Sequence, residues 1–470
     1  MATNPISDNG IQGLSPEFQR VYQMAAQSEK KPIQALNTRK ELVNNKMKLL
    51  DDILKKVEEA RGLMPQFLTP YAFRELSLQS SDPTALTGTV DKRFAETGRH
   101  TIDVNSLATG TTAISNGFAS QSDTVGEGYF TFHTAQGDTK EVFIDSEHST
   151  LDGLAKLINQ SEMGVRATVV NDVTDPDKPF RLLLRSSEEG AAKDVNFPEF
   201  YLVDGDQELE MERQLPAQNA RLKYAGAAIE TASNEIKGLI SGVTLNLKGT
   251  TTAGRPGTIT IENDVPKISK KVKDLVDKIN GILSFIQTQN TMDEHTPPDK
   301  TLGGDYGMRL TENRIRNILQ QYLPMDSPNQ IRMLADMGIQ FNKKGTLDLD
   351  EKKLEHAINA QFDAVSHFLV GDVENPGLVA KLSQALTGIA RANDGLLYSE
   401  RRSFQQQERK IEKDIQTQED FAEKRIAGIK EKLVRAEQAM SALQGQSSAL
   451  ANLGGGGGGG IASLPQQLLG

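Results

Sequence analysis

Two stretches near opposite ends of the chain carry the same hydrophobic rhythm. Ile33, Leu36, Lys40, Val43, Met47, Leu50, Leu54 and Val57 fall at alternating steps of three and four, and so do Ile426, Ile429, Leu433, Ala436, Met440 and Leu443. On a helix that spacing draws a narrow apolar stripe that the helix cannot bury by itself, so each stretch needs a partner, and the two termini are predicted to pair. Pro32 suits the first turn of the N-terminal helix, where its missing N–H does no harm, and Gly62 and Pro65 stop it. Residues 1–15 show no periodicity and are rich in Asn, Ser, Gly and Asp, so the segment ahead of the helix, 1–32, reads as flexible.

Between about 69 and 263 the rhythm changes to short β-like runs divided by turn residues. Examples are 101–105, 129–132, 141–144, 181–184 and 243–247; in the last, Val243, Leu245 and Leu247 alternate with Thr244 and Asn246, which marks a strand with one buried face. One short helix interrupts them: Ser149 and Thr150 are candidate caps, and Leu151, Leu154, Leu157 and Ile158 share a face. The helical period returns in Ile268, Val272, Leu275, Ile279, Ile282 and Ile286. A polar segment with Pro297 and Pro298 follows, then a short helix near 311–322. Met333, Leu334 and Met337 lead into Gly338, a turn at 343–345, a strand at 346–349 and a helix from 351 to about 359. One long polar helix is predicted from about 398 to 453, its stripe slipping register around 419–421, as a stutter does. Seven glycines, 454–460, end it as a flexible tether.

Composition narrows the function classes. The 470 residues carry a net charge of −10 and are 37% hydrophobic, with mean hydropathy −0.45, low for one compact globule. An acidic balance argues against a general nucleic-acid or anionic-membrane surface. No apolar run approaches the roughly 20 residues needed to cross a bilayer. Residues 1–18 lack the pattern of a secretory signal, which by the usual route would keep the chain in the cytoplasm. Without cysteine there is no disulfide, thiolate metal site or thiol nucleophile.

Candidate chemistry is thin. His100, His133, His148, His295, His356 and His367 occur in no metal-ligand spacing. Asp348, Asp350 and Glu355 hint at a calcium loop but lack its glycine and its fifth-position ligand, so a capped helix start is the better reading. Gly254 to Gly257 lacks the Lys-Ser/Thr of a phosphate loop and reads as a hairpin turn. Asn159 to Ser161 forms a glycosylation triplet of the kind that chance supplies, at a predicted helix end. No pair stands out among 63 acidic residues as a glycosidase dyad. Neither a catalytic residue nor a cofactor or metal site is expected, and the chain does not read as an enzyme.

The ordered set of local sequences resembles the flagellar filament cap family, also called hook-associated protein 2. The resemblance is carried by 233–248 followed by the 272–286 helix, by Leu302, Gly303, Gly304 and Asp305 with Arg309, by 334–340 through 345–350 to Lys353 and Leu354, and by 150–159 with 164–172. It runs from about residue 11 to about 450, with 224–370 the most specific. The heptaglycine tail is not part of the family pattern. The resemblance implies an α+β multidomain fold: a long antiparallel coiled-coil leg (33–66 and 265–453), an inner β-domain split between 67–112 and 216–264, an inserted outer β-rich domain with one short helix (113–215), and the flexible tail 454–470.

The implied function is mechanical: a homo-oligomeric ring at the filament tip beneath which exported flagellin folds and inserts. Export would proceed through the flagellar apparatus without a cleaved signal, which places the chain extracellularly. Implied partners are other copies of itself, flagellin, the hook–filament junction proteins and a cytoplasmic export chaperone at the C-terminal helix, with no nucleic acid and no membrane insertion. Leg packing or oligomer contacts are expected of Ile33, Leu36, Val43, Met47, Leu50, Leu54, Val57, Ile411, Ile415, Ile426, Ile429, Leu433, Met440 and Leu443. A stalked adhesin or tail-fibre component would share paired helices and β-domains but not the 233–370 block; a secreted hydrolase would need an acid pair or triad that the sequence does not display.

Overall fold

The computed structural model describes residues 13–133, 139–161, 164–291, 300–322, 331–372 and 374–453. The heptaglycine stretch and the Pro297–Pro298 segment lie outside them. In chain order the helices are α1 (Pro16–Leu63), α2 (Pro70–Phe73), α3 (Leu151–Gln160), α4 (Val265–Asn290), α5 (Tyr306–Leu319), α6 (Glu351–Leu369), α7 (Leu378–Ala390) and α8 (Leu396–Leu453). Two compact units result. One holds 13–65, 273–350 and the chain from 374 onward; the other holds 66–272 and 351–372.

The first unit is helical. α1 starts at Pro16, so the flexible segment expected up to residue 32 is corrected: Pro32 lies inside the helix. A mid-helix proline removes one hydrogen bond at a penalty of about 3 kcal/mol. The helix continues through it because Tyr22 and Ala26, ahead of the proline, pack against Ile426 and Leu433 of α8. α7 packs against α1, α5 and α8 with Leu378, Val379, Leu382, Leu386 and Ile389 buried. The sequence reading assigns no element there. A two-stranded ribbon (Ile339–Phe341 with Leu347–Leu349) is fixed by Asn280 of α4, whose side-chain amide bonds both the N–H and the C=O of Leu347 at 2.7 and 2.8 Å.

The second unit is built mainly from antiparallel sheets. A five-stranded sheet runs in the order Leu76–Ser80, Gly257–Asn263, Gly98–Ser106, Ala220–Tyr224, Ala227–Thr231, and a three-stranded one in the order Glu235–Ile240, Val243–Leu247, Leu86–Val90. They share a core of Leu86, Ile102, Val104, Leu222, Leu245 and Ile259. The alternation read at 243–247 is a strand buried at its odd positions. The chain leaves this pair of sheets after Ser106 and returns before Ala220, and Thr109 and Gln218 bridge the two crossings through paired backbone hydrogen bonds of 2.9 and 3.1 Å.

The excursion forms a four-stranded sheet, Met211–Leu215, Thr112–Ser115, Phe180–Ser186, Val165–Asn171, and a three-stranded one, Thr139–Ile144, Glu127–His133, Asn196–Val203. Phe118, Phe130, Ile144, Leu151, Leu154 and Leu182 fill its core. α3 is capped by the Thr150 hydroxyl, which accepts from the Gly153 N–H at 3.1 Å. α6 groups with this second unit, although the whole of 265–453 is expected in the leg. It breaks helical geometry at Gln361, just past the expected end at 359, then resumes to Leu369 and stacks Phe362 on Phe73, ring centroids 5.9 Å apart. An aromatic anchored this way holds the second half of the helix to the β-rich unit.

Candidate functional site

The feature most open to functional reading is the pairing of α1 with α8. Polar contacts join them: the Ser15 N–H donates to Glu437 (3.2 Å), and ion pairs link Glu29 with Arg425 (3.2 Å), Lys40 with Glu412 (2.6 Å) and Asp51 with Arg401 (2.6 Å). As the number rises on one helix it falls on the other by nearly the same amount, so the helices are antiparallel and keep register over roughly 54 Å at 1.5 Å per residue. These are surface ion pairs, worth about 0 to 1 kcal/mol each, so they set register while the apolar stripe supplies most of the stabilisation.

The predicted stripe residues fall into three groups. Val43, Leu50, Leu54, Val57, Ile411 and Ile426 are buried; Ile33, Leu36, Met47, Ile415, Ile429 and Leu433 are half-buried; Met440 and Leu443 are 43% and 64% exposed. The last two, expected as leg-packing or oligomer-contact residues, are left exposed among the described residues. The reason is register: with Ser15 opposite Glu437, α1 has no residue in its described helix to set against α8 beyond that point. The polar helix α8 therefore overhangs its partner, with Leu450 also exposed.

Sequence reasoning missed Tyr22, Ala26, Ile53, Ala60 and Ala422, all buried. Tyr22 and Ala26 are four apart and legible in principle, but the proline boundary hides them. Ala422 lies eleven residues after Ile411 while Phe421 beside it is 55% exposed. An eleven-residue step is what a stutter produces in a stripe of otherwise three-and-four spacing.

Beside this pairing, Glu400 of α8 lies against Asp305, the residue that caps α5 by accepting from the Gly307 and Met308 N–H groups at 2.8 and 3.4 Å. Burial, and then the hydrogen bond and charge of Asp305, push the Glu400 carboxyl up to about 8, with Lys46 of α1 pulling the other way. The Glu400 Oε2 atom has no hydrogen-bond partner and is sealed from solvent.

Elsewhere the polar chemistry is local. His100 meets the Tyr224 hydroxyl at 2.9 Å, His148 meets Asp145 at 2.7 Å and His133 meets Thr139 at 3.0 Å. His295 lies outside the described residues. Asp348 accepts from Asn342 at 2.8 Å, Asp350 immediately precedes α6, and Arg255 N–H closes a turn onto the Thr252 carbonyl. Among the described residues no group of three or more His, Cys, Asp or Glu could hold a metal ion, and no helix is long and apolar enough to cross a membrane. A cleft of about 600 Å³ in the β-rich unit is lined by Tyr71, Arg74, Glu96, Asn263, Phe362 and Asp363 among others.

Comparison with known proteins agrees with this architecture. A family model described as flagellar hook-associated protein 2 N-terminus matches residues 17–111, and one described as flagellar hook-associated protein 2 C-terminus matches residues 217–445. The B-type flagellar hook-associated protein 2 of Pseudomonas aeruginosa is 30% identical over 378 residues, covering 74% of this chain and 76% of its own. The A-type protein of the same species is 26% identical over 437 residues, covering 87% of each. A crystal structure of the flagellar cap protein FliD D1-D2-D3 domains from Escherichia coli superimposes with a TM-score of 0.53 at 23% identity, covering 76% of this chain and 99% of that one.

Proposed function

Because the chain belongs to the flagellar hook-associated protein 2 family, we propose that it caps the flagellar filament and works there as a structural assembly factor. The observation within the chain that carries this reading is the long antiparallel pair of terminal helices with an apolar overhang on α8. Met440, Leu443 and Leu450 keep a stripe that is exposed, with no partner helix set against it among the described residues. An unpartnered stripe on a 58-residue helix is suited to contacts with another copy, with flagellin at the filament end, or before export with a chaperone.

On this reading several copies form a closed ring at the filament tip outside the cell. Flagellin folds and inserts beneath that ring. The hook–filament junction proteins are the first surface the ring meets. A ring needs heterologous contacts that close on themselves, and small changes in their angle set its order. The adhesin and hydrolase readings are not favoured, since the family is that of a structural protein.

The decisive experiment is electron microscopy of cells lacking this chain, with assay of the medium for unassembled flagellin. Hooks without filaments and flagellin lost to the medium are expected. Full-length filaments with normal flagellin retention would overturn the reading.

A further inference from the structure

The sheet Thr139–Ile144, Glu127–His133, Asn196–Val203 turns one face into the core and the other to solvent. Phe130, Ile144, Val142, Phe200 and Leu202 face inward. On the outer face strand register sets Tyr129 directly between Phe143 and Tyr201, and the three rings are 53%, 52% and 59% exposed. A row of three aromatics across three strands is uncommon on a surface where single exposed rings need no explanation. Gly128 helps hold it: at φ +150° it lies so close to the Tyr201 carbonyl that any Cβ would collide, which keeps the two strands tightly apposed beneath the row.

The surroundings choose the occupant. The next position along the outer face places Glu141 and Glu199 on either side of Thr131, and Glu127 lies on the opposite flank, facing Val203 across the strands. All three glutamates are exposed. Glu199 accepts from the Tyr201 hydroxyl at 2.6 Å, which fixes that ring. A second copy docking through the same face would set acidic groups against acidic groups. A flat ligand such as a sugar ring would want coplanar rings, whereas Tyr129 and Phe143 are tilted 56° with centroids 5.0 Å apart. Tilted ring faces with carboxylates within a residue or two match a cation carried on a flexible stem, held by the ring quadrupole and by the glutamates together.

We propose that the aromatic row Phe143–Tyr129–Tyr201, flanked by Glu127, Glu141 and Glu199, is a docking surface for a basic segment of another protein, reading its lysine or arginine side chains. The surface is independent of the terminal helices, so its fate does not bear on the cap reading.

The test uses the full chain and a short peptide of alternating lysine and leucine, with its glutamate–leucine counterpart as control. Binding is followed by the aromatic resonances of labelled protein. The lysine peptide is expected to shift Tyr129, Phe143 and Tyr201 saturably and the glutamate peptide to leave them unmoved. Tyr129→Ala should weaken binding about threefold to thirtyfold, the range of one cation–π contact. Glu141→Gln with Glu199→Gln leaves the rings in place and should weaken binding while flattening its salt dependence. Equal response to both peptides, undiminished binding by these variants, concentration-dependent dimerisation abolished by Tyr129→Ala, or the same shifts produced by a neutral oligosaccharide would each overturn the proposal.

Discussion

Glu400 shows how one side chain links helix pairing to solution conditions. In the folded chain its carboxyl holds a proton up to about pH 8, while the ordinary value for an unfolded glutamate is 4.5. Between those limits the folded state binds more protons than the unfolded one, so stability is fully present at the acid end and falls as pH rises through the window. Facing it are Asp305 at the start of α5 and Lys46 of α1, one opposing ionisation and one favouring it. Glu400→Gln keeps a donor for Asp305 without the titration. Its unfolding midpoint is expected to vary less between pH 5 and 9 than that of the unaltered chain, and parallel profiles for the two would refute this account. A second single-residue expectation concerns Gly242, which turns Glu235–Ile240 back into Val243–Leu247 at φ +67° and whose absent Cβ would strike the Ala95 backbone. Gly242→Val should lower stability by about 2 kcal/mol or more, read by urea unfolding, because a β-branched residue suits neither the left-handed backbone nor the space.

At the level of elements, the α1–α8 pair divides into a packed length and an overhang. Ile53 and Val57 are fully buried, so Ile53→Ala should destabilise the helical unit by roughly 3 kcal/mol, the usual range for a large aliphatic cut to alanine. Met440→Asp with Leu443→Asp should move its unfolding by no more than about 0.5 kcal/mol, since exposed positions away from special features are usually that tolerant. Circular dichroism under denaturant separates these two outcomes. A large loss from the overhang variant would mean that the stripe beyond Glu437 is packed within the chain after all.

For the whole molecule, the same overhang variant becomes a test of assembly. A chain that folds normally yet has lost the apolar stripe should be exported but support only short filaments, with flagellin appearing in the medium. Normal filament length in that variant would remove the overhang from the assembly surface while leaving family membership untouched. Mechanical work of this kind asks for a chain whose helical and β-rich units each carry their own core, which is what the buried clusters of the two sheet pairs and the helical stripe provide.

What the sequence determined by itself was periodicity and its breaks. Steps of three and four at Val43, Leu50 and Leu54, alternation at Val243, Leu245 and Leu247, and the Thr150 cap are local rules, and the backbone obeys them wherever no distant contact opposes them. Family resemblance was legible for the same reason, since it rests on runs of neighbouring residues kept in order. Tertiary structure decided what depends on a partner from afar. Pro32 in isolation marks the first turn of a helix, and only the packing of Tyr22 and Ala26 against Ile426 carries the helix back to Pro16. Met440 and Leu443 satisfy the stripe as well as Leu433 does, but the register of α1 leaves them uncovered. Glu400 and Asp305 are 95 residues apart and unremarked in sequence until α8 and α5 bring them together. In each case burial is a property of two surfaces, and a sequence pattern specifies only one of them.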